Sequence, residues 1–278
     1  MVIFKKAVDI RHFLLEQKQQ RASIGFCPTM GALHAGHISL IEASKRQCDL
    51  TVCSIFINPT QFNNPSDYQQ YPISLEQDIQ MLEAAGCDIL FLPAETEIYP
   101  TGIPLKLYDL GFLETIMEGA HRPGHYQGVC MVVHRLLDII PCERLFLGEK
   151  DYQQCMVIQR LIELESIPVR IEIQPTIREK NGLAMSSRNR RLNEEQLKRA
   201  STIYVVLMSI KNAFDKKPTV FLLEEAKDQL THAGFKIDYI TVCQNTLEPL
   251  RVSDHQPVRA FIAASIDDVR LIDTMSIT

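Results

Sequence analysis

Five short apolar runs, rich in β-branched and aromatic side chains, mark the first part of the chain: SIGFCP (23–28), LTVCSIF (50–56), CDILFLP (87–93), RLFLG (144–148) and VRIEIQP (169–175). Runs that are nearly continuous in apolar character are expected of strands buried on both faces, as in a parallel sheet. Between them the period becomes helical. SLEQDIQMLEAAG has the pattern of a capping box from Ser74 to Gln77 and a stop at Gly86, while GVCMVVHRLLDII and YQQCMVIQRLIELE space their apolar residues as a helix does. Strand and helix in repeated alternation predict an α/β fold, a doubly wound parallel sheet of Rossmann-like type.

After Pro175 the pattern changes. A polar stretch, REKNGLAMSSRNRR, leads into two helical segments, EEQLKRASTIYVVLMSIKNAF and VFLLEEAKDQLTHAG, and then three strand-like runs, KIDYITVC, RAFIAAS and VRLIDT. This predicts a smaller C-terminal α+β domain. The expected division is 1–178 for the sheet domain and 179–278 for the α+β domain. No internal repeat, heptad or low-complexity tract interrupts either part.

Composition narrows the function classes. Hydrophobic residues at 46% and charged residues at 23% are those of an ordinary folded protein, and a net charge of -5 leaves no global positive field for a nucleic-acid backbone. MVIFKKAVDIRHF places charges where a signal peptide needs an apolar stretch, and no run approaches the ~18 residues of a membrane span. The expectation is a cytoplasmic protein with neither a nucleic-acid nor a membrane partner. Eight cysteines are scattered without a C-x-x-C pair, the pattern of reduced core thiols.

Neither a Walker A loop nor G-x-G-x-x-G occurs, so phosphate binding has to come from elsewhere. PTMGALHAGH (28–37) joins the first strand of the pattern to a helix. Its glycines allow close backbone approach, and the helix start offers free N–H groups with the positive end of its dipole. His34 and His37, three apart, share one face there and could donate to phosphate oxygens, although an H-x-x-H pair alone fits structural histidines equally well. The H-x-G-H form after a strand resembles the signature of the HIGH-type nucleotidylyl-transfer superfamily. Two more segments suit phosphate: Met185-Ser186-Ser187-Arg188 in the polar connection, and Gly148-Glu149-Lys150-Asp151 at the carboxyl end of the fourth run. A helix cap would also explain Asp151, and a polar linker the serines and arginine.

Five ordered blocks, PTMGALHAGH, SIFINPTQF, EGAHRPGHYQGV, LFLGEKDYQQ and GLAMSSRNRRL, together resemble the pantoate:β-alanine ligase family. The resemblance implies ATP-dependent condensation of (R)-pantoate with β-alanine to pantothenate, AMP and diphosphate through a pantoyl adenylate. It also implies ATP as co-substrate, Mg2+, and a homodimer. Carried over by motif, Met30, Gly31, Ala32, Leu33, His34, Ala35, Gly36 and His37 line the ATP site. Gly148, Glu149, Lys150, Asp151, Ile177, Met185, Ser186, Ser187 and Arg188 complete it. His37 is the family's proton donor, with His34 and Lys150 on the phosphates. Gln61 and Gln154, with Asn58 nearby, correspond to pantoate and β-alanine ligands, and Asp78 to an acidic position associated with Mg2+ or ribose.

The residues support part of this on their own chemistry. A carboxylate that must attack phosphorus needs holding without neutralisation, and neutral glutamine amides orient it at less cost to its reactivity than a bidentate arginine. Leu147, Arg191 and Tyr126 depart from the usual family pattern, which bears on packing around the pocket. Competing readings are a nucleotidylyltransferase that releases its adenylated product, a tRNA-synthetase fragment and a nucleotide sensor.

Overall fold

The computed structural model describes residues 1–278 apart from 64, 103–105 and 251–255. It forms two compact units, one of Met1–Gly148 with Gln154–Gln174, the other of Glu149–Gln153 with Pro175–Thr278. Five strands of the first unit coincide with the five apolar runs: β2 (Ile24–Thr29), β3 (Leu50–Ile55), β4 (Ile89–Phe91), β5 (Arg144–Gly148) and β6 (Arg170–Gln174). A sixth, β1 (Val2–Phe4), pairs in parallel with β4 and was not expected. Three residues long and exposed at Val2 and Ile3, it is an edge strand with too little pattern to read.

All pairings in this sheet are parallel, in the order β1-β4-β3-β2-β5-β6. From β2 the chain winds outward through β3 to β4, and from β5 it winds the opposite way to β6. The order therefore reverses where β2 and β5 lie side by side, and in doubly wound sheets the crevice outside the carboxyl ends at that point is where ligands bind. The two motifs expected to hold phosphate follow these two strands.

The helices of the first unit are α1 (Ala7–Gln19), α2 (Ala35–Gln47), α3 (Pro65–Gln69), α4 (Leu75–Ala84), α5 (Glu95–Ile98), α6 (Met117–His121), α7 (His125–Ile139) and α8 (Tyr152–Glu165), whose first two residues pack with the second unit. Leu40 and Ile41 of α2 and Leu82 of α4 are buried with Cys27, Cys53, Leu90 and Phe146 of the strands. Each such leucine or isoleucine stabilises the unit by about 2 kcal/mol. Gly25 lets α2 lie close on β2, since a Cβ there would stand 2.1 Å from Ser44 Oγ and 2.9 Å from the Phe146 ring. Gly86, at φ 74°, ends α4 as expected, with Gly86 N–H donating to Glu83 O and Cys87 N–H to Leu82 O. The expected capping box at the other end is absent: Ser74 makes no side-chain cap bond, and its hydroxyl donates to Asp78 Oδ1 at 3.0 Å.

The second unit is α+β. Its helices are α9 (Glu194–Ala200), α10 (Thr202–Ala213) and α11 (Thr219–His232), and its antiparallel sheet is β7 (Lys236–Gln244), β8 (Val258–Ile266) and β9 (Val269–Ser276) in sequence order. The long helical segment from 194 is broken at Ser201, whose hydroxyl donates to Lys198 O at 2.7 Å. Along β8, Ala260, Ile262, Ala264 and Ile266 join a core with Ile203, Val206 and Leu207 of α10 and Leu230 of α11. Strand alternation turns Arg259 and Phe261 to the opposite face. No helix among the described residues is long and apolar enough to cross a membrane.

Candidate active site

Beyond β2 the chain turns through two consecutive left-handed residues, Gly31 at φ 80° and Ala32 at φ 49°. Glycine adopts this freely, whereas Ala32 gives up about 1–2 kcal/mol. Asp78 compensates from α4: Oδ2 accepts Ala32 N–H at 2.9 Å, and Oδ1 accepts Leu33 N–H at 2.8 Å. With Ser74 Oγ as third donor and 1% exposure, this carboxylate is committed inside the protein. In the structure Asp78 anchors the loop that leads to the histidines.

His34 is the N-cap of α2, and its Nδ1 accepts Gly36 N–H at 3.1 Å. His37 reaches back, its Nδ1 accepting His34 N–H at 3.3 Å, and the two rings lie 4.0 Å apart. A neutral imidazole whose Nδ1 accepts carries its proton on Nε2. Both rings in that form carry the proton on Nε2, at the positive end of a helix, a setting that suits an anion.

The NPTQF block forms a short turn, Pro59–Gln61, capped by Asn58. Asn58 is 1% exposed and fully engaged. Its Oδ1 accepts Tyr99 OH at 2.8 Å and Thr60 Oγ1 at 3.0 Å, and its Nδ2 donates to Gly128 O at 3.1 Å and Gln61 Oε1 at 3.2 Å. Both Nδ2 protons are thus taken within the protein, one of them by Gln61. Gln61 Nε2 points to Met30 Sδ at 3.1 Å, bringing the first two sequence blocks together. His125 Nδ1 lies 2.8 Å from Gln61 O, and Arg122 donates to the same oxygen. Tyr99, Arg122 and His125 were missed as supports of Gln61. The signal for the last two was the EGAHRPGHYQGV block, to which no site residue was assigned. Gln154 is half-buried in the first turn of α8 and makes no hydrogen bond to Gln61.

Gly148 closes β5, where a Cβ would meet no atom within 4 Å. Glu149–Asp151 then form a single 3-10 turn, with Lys150 Nζ 3.0 Å from Asp151 Oδ1 and Glu149 Oε1 accepting Arg259 Nη2 at 2.8 Å. In the second unit, Met185 N–H donates to Ile177 O at 3.0 Å, and Arg178 bridges Ala184, making a small hairpin. Arg178 holds Asp273 by two bonds of 2.6 and 3.1 Å. Burial pushes the Asp273 carboxyl up and Arg178 pulls it back down. Ser186 Oγ caps the following 3-10 turn, Ser187–Arg191, by accepting Arg188 N–H at 3.3 Å. Among the departures from the family pattern, Leu147 and Tyr126 are buried, and Arg191 pairs with Asp268 at 3.3 Å. No three His, Cys, Asp or Glu side chains converge as a metal cage among the described residues.

The family model for pantoate-β-alanine ligase matches residues 2–276. Over 282 residues the chain is 43% identical to the pantothenate synthetase of Cytophaga hutchinsonii, covering 100% of this chain and 99% of that one. A crystal structure of pantothenate synthetase from Thermus thermophilus superposes with a TM-score of 0.92 at 36% identity, covering 100% of this chain and 99% of that chain. A pantoate-β-alanine ligase from Francisella tularensis, crystallised with β,γ-ATP and β-alanine, gives 0.85 at 39% identity, covering 100% and 98%.

Proposed function

The chain belongs to the pantoate-β-alanine ligase family, and from that premise we propose how its own residues divide the reaction. It is a pantothenate synthetase enzyme that ligates pantoate to β-alanine in an ATP-dependent reaction, and it binds ATP and β-alanine. The carboxylate of pantoate attacks the α phosphorus of ATP, and diphosphate leaves. The amine of β-alanine then attacks the carbonyl of the pantoyl adenylate, loses a proton, and AMP leaves. No protein nucleophile takes part, so the residues act by positioning and charge stabilisation.

His34 and His37 donate from Nε2 to phosphate oxygens, with the amides at the start of α2 beside them. The observation that carries this is that both Nδ1 atoms accept backbone N–H bonds. Lys150, with Ser186, Ser187 and Arg188, acts on the triphosphate, while Gly148, Glu149, Asp151, Ile177 and Met185 contact adenosine, partly through backbone groups. Gln61 and Gln154 hold pantoate through neutral amides. Mg2+ would accompany ATP and neutralise charge on the departing diphosphate, and Asp78, whose carboxylate already takes three donors in the loop, would not be needed to hold it. The enzyme works as a homodimer in the cytoplasm, a reducing compartment that suits eight cysteines, none of them in a disulfide.

Turnover with ATP, Mg2+, β-alanine and pantoate labelled with 18O in its carboxylate tests the route. One label per turnover should appear in AMP, read by mass. Unlabelled AMP from a working enzyme would exclude the adenylate, and release of adenylated product without any need for β-alanine would favour a nucleotidylyltransferase.

A further inference from the structure

Glu149–Gln153 pack with the second unit although Gly148 before them and Gln154 after them pack with the first. Arg259, on the face of β8 turned away from the helices, ties them there. Its guanidinium Nη2 donates to Glu149 Oε1 at 2.8 Å, and its central carbon stands 4.1 Å from the centroid of the Tyr152 ring. Tyr152 in turn lies 6.3 Å from the ring of Phe261, two residues along the same strand face. Lys150 is thus flanked in sequence by two residues that one side chain holds.

The setting of Arg259 is not one that stability explains. The residue is 4% exposed, yet Nε and Nη1 have no hydrogen-bond partner. Unmet buried donors are a net cost, and replacing a buried ion pair with apolar side chains of similar volume is often neutral or stabilising. What the arginine does supply is two tethers of different kind, an ion pair at one end of a single turn and a cation–π contact at the other. The pairing of Lys150 with the adjacent Asp151 cannot supply that placement, because it moves with the turn.

We propose that Arg259 is a positioning residue for Lys150, fixing Glu149 and Tyr152 on β8 so that the ammonium stands where the triphosphate is gripped. This rests on the assignment of Lys150 to the triphosphate. The test is a double-mutant cycle on kcat/KM for ATP, with pantoate and β-alanine saturating. Lys150→Ala should lose about 100-fold or more, and Arg259→Met about tenfold or more with KM for β-alanine unchanged. The double variant should fall within about threefold of Lys150→Ala, since a residue that acts through Lys150 has nothing left to position. Tyr152→Leu, which leaves the sheet itself intact, should show the same non-additivity and carries the test if Arg259→Met fails to fold. Losses that multiply in the double variants, or full activity in both Arg259→Met and Tyr152→Leu, would overturn the proposal alone. Wild-type activity in Lys150→Ala would overturn the premise and the proposal with it.

Discussion

At Asp78 a single carboxylate decides the shape of the loop that leads into α2. Ala32 would not hold its left-handed conformation without a partner for its amide, and Asp78 serves that amide, the next one and Ser74 together. Asp78→Asn turns one acceptor into a donor that faces a backbone N–H. It should lower stability by about 2 kcal/mol, read from the urea midpoint, and reduce turnover while leaving the Mg2+ concentration for half-maximal rate where it was. A marked rise in that concentration would return Asp78 to the metal. Residue types were legible here and residue roles were not. The family resemblance singles out Asn58, Gln61 and Asp78 alike. Only burial separates the half-buried glutamine from the two buried residues that bond within its surroundings, and burial is not written in a motif.

Among the elements, the polar stretch from Glu179 to Arg191 carries more structure than its composition suggests. Its glycine, serines and arginines suit a loop that moves to grip nucleotide. The structure gives it its own bridge, a 3-10 continuation and the Arg178–Asp273 pair. The exposed Lys180 bond should therefore resist trypsin without ATP, whereas Asp273→Ala, which strands a largely buried guanidinium, should expose it and cost about 3–5 kcal/mol. Fragment masses after brief digestion distinguish the two, and cleavage of the wild type at Lys180 that ATP suppresses would restore the mobile loop. The buried strands were readable because both faces exclude water, which makes their runs continuous. β1 was not readable because its faces are exposed, and the capping box failed because the Ser74 hydroxyl donates to Asp78 and its oxygen accepts no amide of its own helix.

For the whole molecule, the cysteines give a simple measure of integrity. Burial pushes the thiols of Cys130, Cys142 and Cys243 up to about 12 and that of Cys87 to about 11. Cys48 is half-buried, whereas the other seven cysteines are buried. Because the thiolate is the reactive form, iodoacetamide at pH 8 should label Cys48 alone on the folded protein and all eight thiols in denaturant, counted by mass. Early labelling of several others would show that the core opens on the time scale of the assay. The two-part organisation was visible in the change of pattern after Pro175, but the attachment of Glu149–Gln153 to the second part was not, since Glu149 and Arg259 lie 110 positions apart. That attachment makes the gene's arrangement non-modular. A chain that ends at residue 174 leaves the ribosome without the arginine that neutralises Glu149, and one that begins at 175 carries Arg259 with no counter-ion. Recombination at the apparent linker would cut through a finished piece of structure, so any exchange of the second unit between relatives must transplant two separate stretches of sequence at once.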